Sequence, residues 1–180
     1  MSHCRENHTK NNGRVIYLAG EINEVTAQDI SIEMLKMQRE DPIEDITLII
    51  DSYGGDMFAA FAIVDMMNIL TCDVKTICVG KAMSAGQFIF SAGKKGKRFM
   101  TKHARLMIHN PSAGIEGSVP DIEVEIEELQ RCRDLFVGVL VENSKLTRDQ
   151  MMAMISRNAY LNAEQGIEMG FADAIITRIK

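Results

Sequence analysis

The chain has 180 residues, of which 46% are hydrophobic and 25% charged, with a net charge of −5. That length suits one domain with a substantial core, and that balance excludes a disordered chain. Binding to phosphate backbones needs clustered positive charge, so a nucleic-acid partner is excluded too: the sole basic run is Lys94-Lys95-Gly96-Lys97-Arg98, which reads as a solvated turn.

In chain order, residues 1–13 are polar and read as a flexible tail, and residues 14–180 as the domain. The tail lacks the apolar stretch of a signal peptide, and no segment reaches the roughly 18 apolar residues of a membrane span, so a cytoplasmic location is expected. His3, Cys4 and His8 read as part of a frayed tail rather than a metal site. Arg14 to Leu18 predicts a strand, and Glu24 to Glu40 a helix with Ile30, Met34, Leu35 and Met37 on roughly one face, stopped by Asp41-Pro42. Ile46 to Ile50 is apolar and β-branched, the pattern of a strand buried on both faces. Gly54-Gly55 then predicts a tight turn into an apolar helix, Phe58 to Leu70.

Val74 to Val79 predicts another buried strand, with a turn over Gly80 to Met83 and a helix from about Ser84. Short strands follow at Arg98–Met100 and Arg105–Ile108, then a long amphipathic helix from about Pro120 to Glu142 whose Glu-rich first turns suit its dipole. A helix from Thr147 to Ser156, an extended Ala159–Leu161, a helix over Ala163–Met169 and an extended Ala174–Thr177 close the chain. Strands alternating with helices predict an α/β fold with mostly parallel pairing. The four cysteines (Cys4, Cys72, Cys78, Cys132) show no C-x-x-C spacing; Cys72 and Cys78, at or in an apolar run, read as buried free thiols, which fits a reducing compartment and no structural zinc. Met34, Met37, Met66, Met67, Met151, Met152 and Met154 fall on apolar helical faces, as core or subunit contacts.

Three places carry residues able to do chemistry. Ser84 sits at a strand-to-helix junction, where a hydroxyl can be presented beside backbone N–H groups, although Ala82 replaces the first glycine of a G-x-S-x-G elbow and a plain helix cap is the alternative. His109 ends the apolar run Leu106-Met107-Ile108, which places it at the mouth of a buried strand as a general base or a structural histidine; His103 reads as an exposed turn. Gly54-Gly55 lets backbone approach a substrate and can offer an N–H to an oxyanion, whereas neither G-x-G-x-x-G nor a P-loop lysine is present for phosphate.

Taken together, several stretches resemble the proteolytic subunit of the Clp protease, the ClpP family. They are Ile50-Asp51-Ser52-Tyr53-Gly54-Gly55, Thr76-Ile77-Cys78-Val79-Gly80 through Met83-Ser84-Ala85-Gly86, Ala92 to Arg98, Met107-Ile108-His109-Asn110-Pro111, Asp121-Ile122-Glu123, and Leu161-Asn162-Ala163-Glu164 on to Asp173. The resemblance runs in unbroken order from about residue 14 to 177. It implies a crotonase-like α/β fold of repeated ββα units with a helix-strand handle, here at about 114–142. It also implies a serine endopeptidase acting on unfolded polypeptides inside two stacked seven-membered rings, fed by a hexameric Clp ATPase, with no cofactor and no metal. Carried over, Ser84 is the nucleophile, His109 the base, and the N–H groups of Gly55 and Ala85 the oxyanion hole.

The resemblance also marks departures. The family's triad aspartate falls on Asn158, whose amide can accept the histidine N–H but offers no full negative charge; in a chymotrypsin-like triad the same change costs about 10⁴ in kcat. A slow or conditionally active peptidase is therefore expected, with a weak ring subunit that assembles with an active paralogue as the alternative. Asp173 is a possible substitute for the aspartate, although Gly170-Phe171-Ala172-Asp173 reads as a helix end. Tyr53 replaces the usual proline before the two glycines, and Thr47 and Ile49 stand where aromatic residues often line the ATPase-loop pockets. An acyl-CoA enzyme of the same fold is a third reading, disfavoured because that chemistry does not need the Ser84 and His109 pair.

Overall fold

The computed structural model describes residues 13–112 and 114–178. The chain begins with β1 (Val15–Ile22), α1 (Glu24–Glu40), β2 (Ile46–Gly55), α2 (Met57–Ile69) and β3 (Val74–Met83). Asn23 caps α1 by accepting the Thr26 N–H. Beyond its end the Asp41 carboxylate accepts the N–H groups of Ile43 and Glu44, turning the chain where the Asp-Pro pair predicts a stop. Ala27, Ile30, Met34 and Met37 form the buried stripe of α1.

Next come α3 (Ala85–Ser91), β4 (Arg98–Met100), β5 (Arg105–Ile108) and α4 (Val119–Glu142), then α5 (Arg148–Ile155), β6 (Ala159–Leu161), α6 (Ala163–Glu168) and β7 (Ala174–Ile175). Both α5 and α6 open with reciprocal capping boxes, Thr147 with Gln150 and Asn162 with Gln165. The strands make one seven-stranded sheet in the order β1-β2-β3-β4-β7, with β5 pairing β3 on one side and β6 on the other. Every pairing is parallel except β5 with β6. This is the expected α/β architecture.

β3 is the strand that organises the site. Thr76 to Cys78 pair with β4, whereas Lys81 to Met83 pair with β5, so the sheet forks along its length. The fork lets β5 end beside β3 at the same level, with Met83 opposite Met107. The core around it holds Phe88, Phe90 and Phe171, none more than 1% exposed. Met34, Met37, Met67 and Met151 are buried, and Met66, Met152 and Met154 pack against the core from its edge.

Three local expectations are corrected. Gly54-Gly55 is not a free turn: β2 continues through both glycines, paired with Glu21 and Ile22 of β1. Gly80 to Met83 is not a turn either but the second half of β3, held by β5. Glycine and polar side chains hide strand periodicity, and a neighbouring strand restores the ladder that they do not advertise. The basic run is not uniformly solvated. Arg98 is 4% exposed and Lys97 pairs with Asp45 and Asp73. The residues His3, Cys4 and His8 lie outside the described part of the chain.

Candidate active site

Two parallel strands that end side by side bring the key side chains together. The N–H of Ser84 donates to the Met107 carbonyl at 2.8 Å, which carries the β3–β5 pairing one residue past the end of β3. Ser84 follows β3 and His109 follows β5, at the carboxyl edge of the sheet where ligands bind in open α/β folds. The Oγ of Ser84 lies 2.8 Å from Nε2 of His109. With the imidazole proton on Nδ1, the hydroxyl donates to Nε2.

The backbone of Ser84 is strained. Its φ is 53° and its ψ −122°, and it is the one non-glycine residue with positive φ among those described. Such a conformation costs about 1–3 kcal/mol and persists where the surroundings enforce it. The side chain makes no capping hydrogen bond to α3, so the plain capping role is ruled out. The geometry is that of a nucleophile elbow reached without the first glycine.

Gly54 and Gly55 explain how the elbow is enforced. Gly54 has φ 102°, and a Cβ there would stand 2.7 Å from the Met83 carbonyl oxygen and 2.8 Å from Cβ of Ser84. Gly55 has φ 153°, and a Cβ there would overlap the Ile22 carbonyl. Only bare backbone fits between β1 and the Ser84 turn. The Gly54 N–H is taken by the Ser52 hydroxyl at 3.0 Å and the Ser84 N–H by Met107. Of the neighbouring main chain, Gly55 and Ala85 line the cleft beside Ser84 and His109, and Ala85 is the first residue of α3.

The rest of the cleft is apolar: Met57, Ala60, Phe88, Pro111 and Phe136. The Phe88 and Phe136 rings stack at 5.1 Å with 17° between planes, and Phe61 meets Phe88 edge-on at 5.4 Å. These rings tie α2, α3 and α4 into one wall. On the neighbouring stretch of sheet the exposed Tyr53 ring carries Lys81 at 4.4 Å, and Lys81 pairs with Asp51 at 2.7 Å. The Asp51 hydrogen bond holds the Lys81 ammonium above its ordinary range.

The remaining candidates separate clearly. Asn158 is exposed and lies just before β6, and no hydrogen bond joins it to His109 among the described residues. Asp173 is engaged elsewhere. Its Oδ1 accepts from Nη2 of Arg98, and its Oδ2 accepts from Nε and N–H of Arg98 and from the Gly96 N–H. Burial alone pushes the Asp173 carboxyl up, but those hydrogen bonds outweigh it and hold it below the usual carboxylate range. His103 sits in an exposed turn. Among the described residues no group of three His, Cys, Asp or Glu side chains is placed to hold a metal ion, and no helix is long and apolar enough to cross a membrane. The buried hydroxyl of Ser52 was not singled out from the sequence, because nothing local distinguishes a serine that bridges strands from one in a turn.

The mostly parallel α/β sheet thus carries Ser84 and His109 side by side at its carboxyl edge. The family model for Clp protease matches residues 7–179. The chain belongs to the Clp protease family, a family of serine peptidases whose members generally assemble as rings and work with Clp ATPases.

Proposed function

We propose that this chain is a serine endopeptidase subunit in which Ser84 is the nucleophile and His109 the general base. The observation that carries this reading is the 2.8 Å approach of Ser84 Oγ to His109 Nε2 at a strained backbone turn beside an apolar cleft. As Oγ attacks the scissile carbonyl carbon, its proton passes to Nε2, and the carbonyl electron pair moves onto oxygen. The N–H groups of Gly55 and Ala85 receive that oxyanion. His109 then hands its proton to the leaving amine as the C–N bond breaks, and water repeats the sequence on the acyl-enzyme. The apolar wall of Phe88 and Phe136 favours an apolar side chain next to the cut bond.

Asn158 in place of a carboxylate makes the proposed enzyme slow, since the imidazolium that forms lacks a full counter-charge. The handle corresponds to about residues 114–142, which include α4 with the exposed Val119, Val124, Ile126 and Leu135. With Phe58 and Ile69 exposed on α2, it offers apolar surface for ring assembly. Docking of a Clp ATPase is part of the proposal for the assembled rings, although Thr47 and Ile49, 6% and 8% exposed, offer it little surface. An amide at Asn158 where the triad carboxylate is expected favours a second reading, a ring subunit that needs an active paralogue.

A fluorophosphonate probe tests the chemistry. Purified protein is expected to be labelled at Ser84, with labelling and peptide hydrolysis both absent in Ser84→Ala. Labelling that survives this substitution overturns the proposal. An unlabelled homo-oligomer that gains activity only with a second subunit type selects the alternative.

A further inference from the structure

The three strands beside the elbow lose register at one level. Between β1 and β2 the pairs Ala19–Asp51 and Glu21–Gly54 leave Gly20 facing two residues, Ser52 and Tyr53. Between β2 and β3 the pairs Ile50–Cys78 and Ser52–Ala82 leave one residue of β2 against three of β3. Irregularities of this kind strand main-chain groups that would otherwise join the ladder, and a buried group must find another partner.

Ser52 meets that need on both sides. It is 0% exposed. Its hydroxyl donates to the Gly20 carbonyl at 2.5 Å and accepts the Gly54 N–H at 3.0 Å. Gly86, in the first turn of α3, closes over it: a Cβ added there would come within 3.3 Å of the Ser52 Cβ. One hydroxyl thus links the β1 bulge to the glycine strap, and the helix that follows the nucleophile packs against the same residue.

We infer that Ser52 is a positioning residue for the oxyanion donors, setting the Gly54–Gly55 strap against the Ser84 elbow; this rests on the reading of Ser84 as nucleophile. A hydroxyl can donate and accept at once, which alanine cannot do and a thiol does weakly. By engaging the Gly54 N–H, Ser52 fixes the orientation of the next peptide, the one that carries the Gly55 N–H. It also holds Gly54 where a side chain would collide with the Met83 carbonyl and Ser84 Cβ. Without it the strap keeps its pairing with β1 but loses the partner of the Gly54 N–H, and a donor displaced by a fraction of an ångström loses its value to a developing oxyanion.

The test compares Ser52→Ala and Ser52→Thr with the wild type, reading kcat and KM on a short peptide amide and the affinity of a peptide boronate. The boronate forms a tetrahedral adduct on the nucleophile, so it reports the oxyanion site even where turnover is slow. Ser52→Ala is expected to lower kcat about 10- to 100-fold with KM within roughly 3-fold, and to weaken the boronate in step. Ser52→Thr, which keeps the hydroxyl, should recover most of both. A kcat and boronate affinity unchanged in Ser52→Ala overturn the inference, as does a fall in thermal midpoint with boronate affinity intact. Should Ser52→Ala not assemble, Ser52→Cys carries the test: wild-type kcat and boronate affinity in that variant overturn it equally. Ser84→Ala separates the two levels. Activity that survives Ser84→Ala removes the nucleophile reading itself, whereas a dead Ser84→Ala beside an unimpaired Ser52→Ala removes only the role of Ser52.

Discussion

His109 and Asn158 are the residues immediately beyond the last rung of the β5–β6 pair, where Ile108 faces Ala159. Because the pair is antiparallel, one strand leaves the rung as the other enters it, and the two side chains arise at the same end of the ladder. A carboxylate at position 158 would therefore begin close to the imidazole. On the proposed mechanism Asn158→Asp supplies the missing counter-charge and raises kcat on a short peptide amide, by up to about 10⁴-fold. Steady-state rates at saturating substrate check this. An equal or slower variant would show that residue 158 takes no part in orienting His109.

Gly54 leaves no room for a side chain beside the elbow. Gly54→Ala places a methyl at 2.7 Å from a carbonyl oxygen in a residue with φ 102°. Displacement of the Ser84 turn should lower the probe-labelling rate by about 10²-fold or more. The readout is labelling kinetics on protein whose circular dichroism matches wild type, and an unchanged rate counts against the strap as part of the site.

The stacked Phe88 and Phe136 rings form an apolar wall that a large apolar side chain can pack against. Phe136→Ala is expected to lower kcat/KM for a bulky apolar residue at the cut bond by about 10-fold relative to a small one. A matched pair of peptide substrates measures this ratio. A ratio that does not move places the substrate side chain elsewhere.

Arg98 and Asp173 hold β4 to the segment before β7, and Arg98 also reaches the carbonyls of Ser91 and Asn143. Asp173 has a lowered folded pKa, so its stabilisation is complete above the ordinary carboxylate value of 3.8 and disappears as pH falls through the folded value. Urea unfolding should show this acid-side loss, and Asp173→Asn should remove it while costing about 3 kcal/mol at neutral pH by leaving Arg98 buried without its charge. A variant as stable as wild type would mean that the pair contributes nothing net.

Cys78 lies in the middle of β3 with its thiol pushed up to about 12, first by burial and then by the nearby Asp51 charge. Little thiolate forms at pH 8, and the sulfur is covered. Thiol reagents should leave it unmodified in the native protein and react on unfolding, as read by peptide mass. Rapid native modification of Cys78 would show that β3 opens far more readily than its packing implies.

Much of the architecture was legible in the residues themselves. The stripe on α1, the Asp41-Pro42 stop, the buried Ile46 to Ile50 run and the Thr147 cap announce their elements because hydrogen-bond period and burial are local properties. Ser84 and His109 were each visible as an isolated candidate, and the motifs around them pointed to the family. Their approach to 2.8 Å across 25 positions was not legible in any local pattern. It depends on β3 forking between β4 and β5, and a strand says nothing of which neighbour it will choose. The glycine segments read as turns because a missing side chain carries no periodicity, yet β1 and β5 draw both into the sheet. Arg98 read as solvated because the partners that make its burial tolerable, Asp173 and the Ser91 and Asn143 carbonyls, are brought to it only by the fold. The sequence by itself determined the elements, the core and the chemical groups available. The tertiary structure decided register, the bulges, the left-handed turn of Ser84 and the hydroxyl of Ser52, because each is settled by partners remote along the chain.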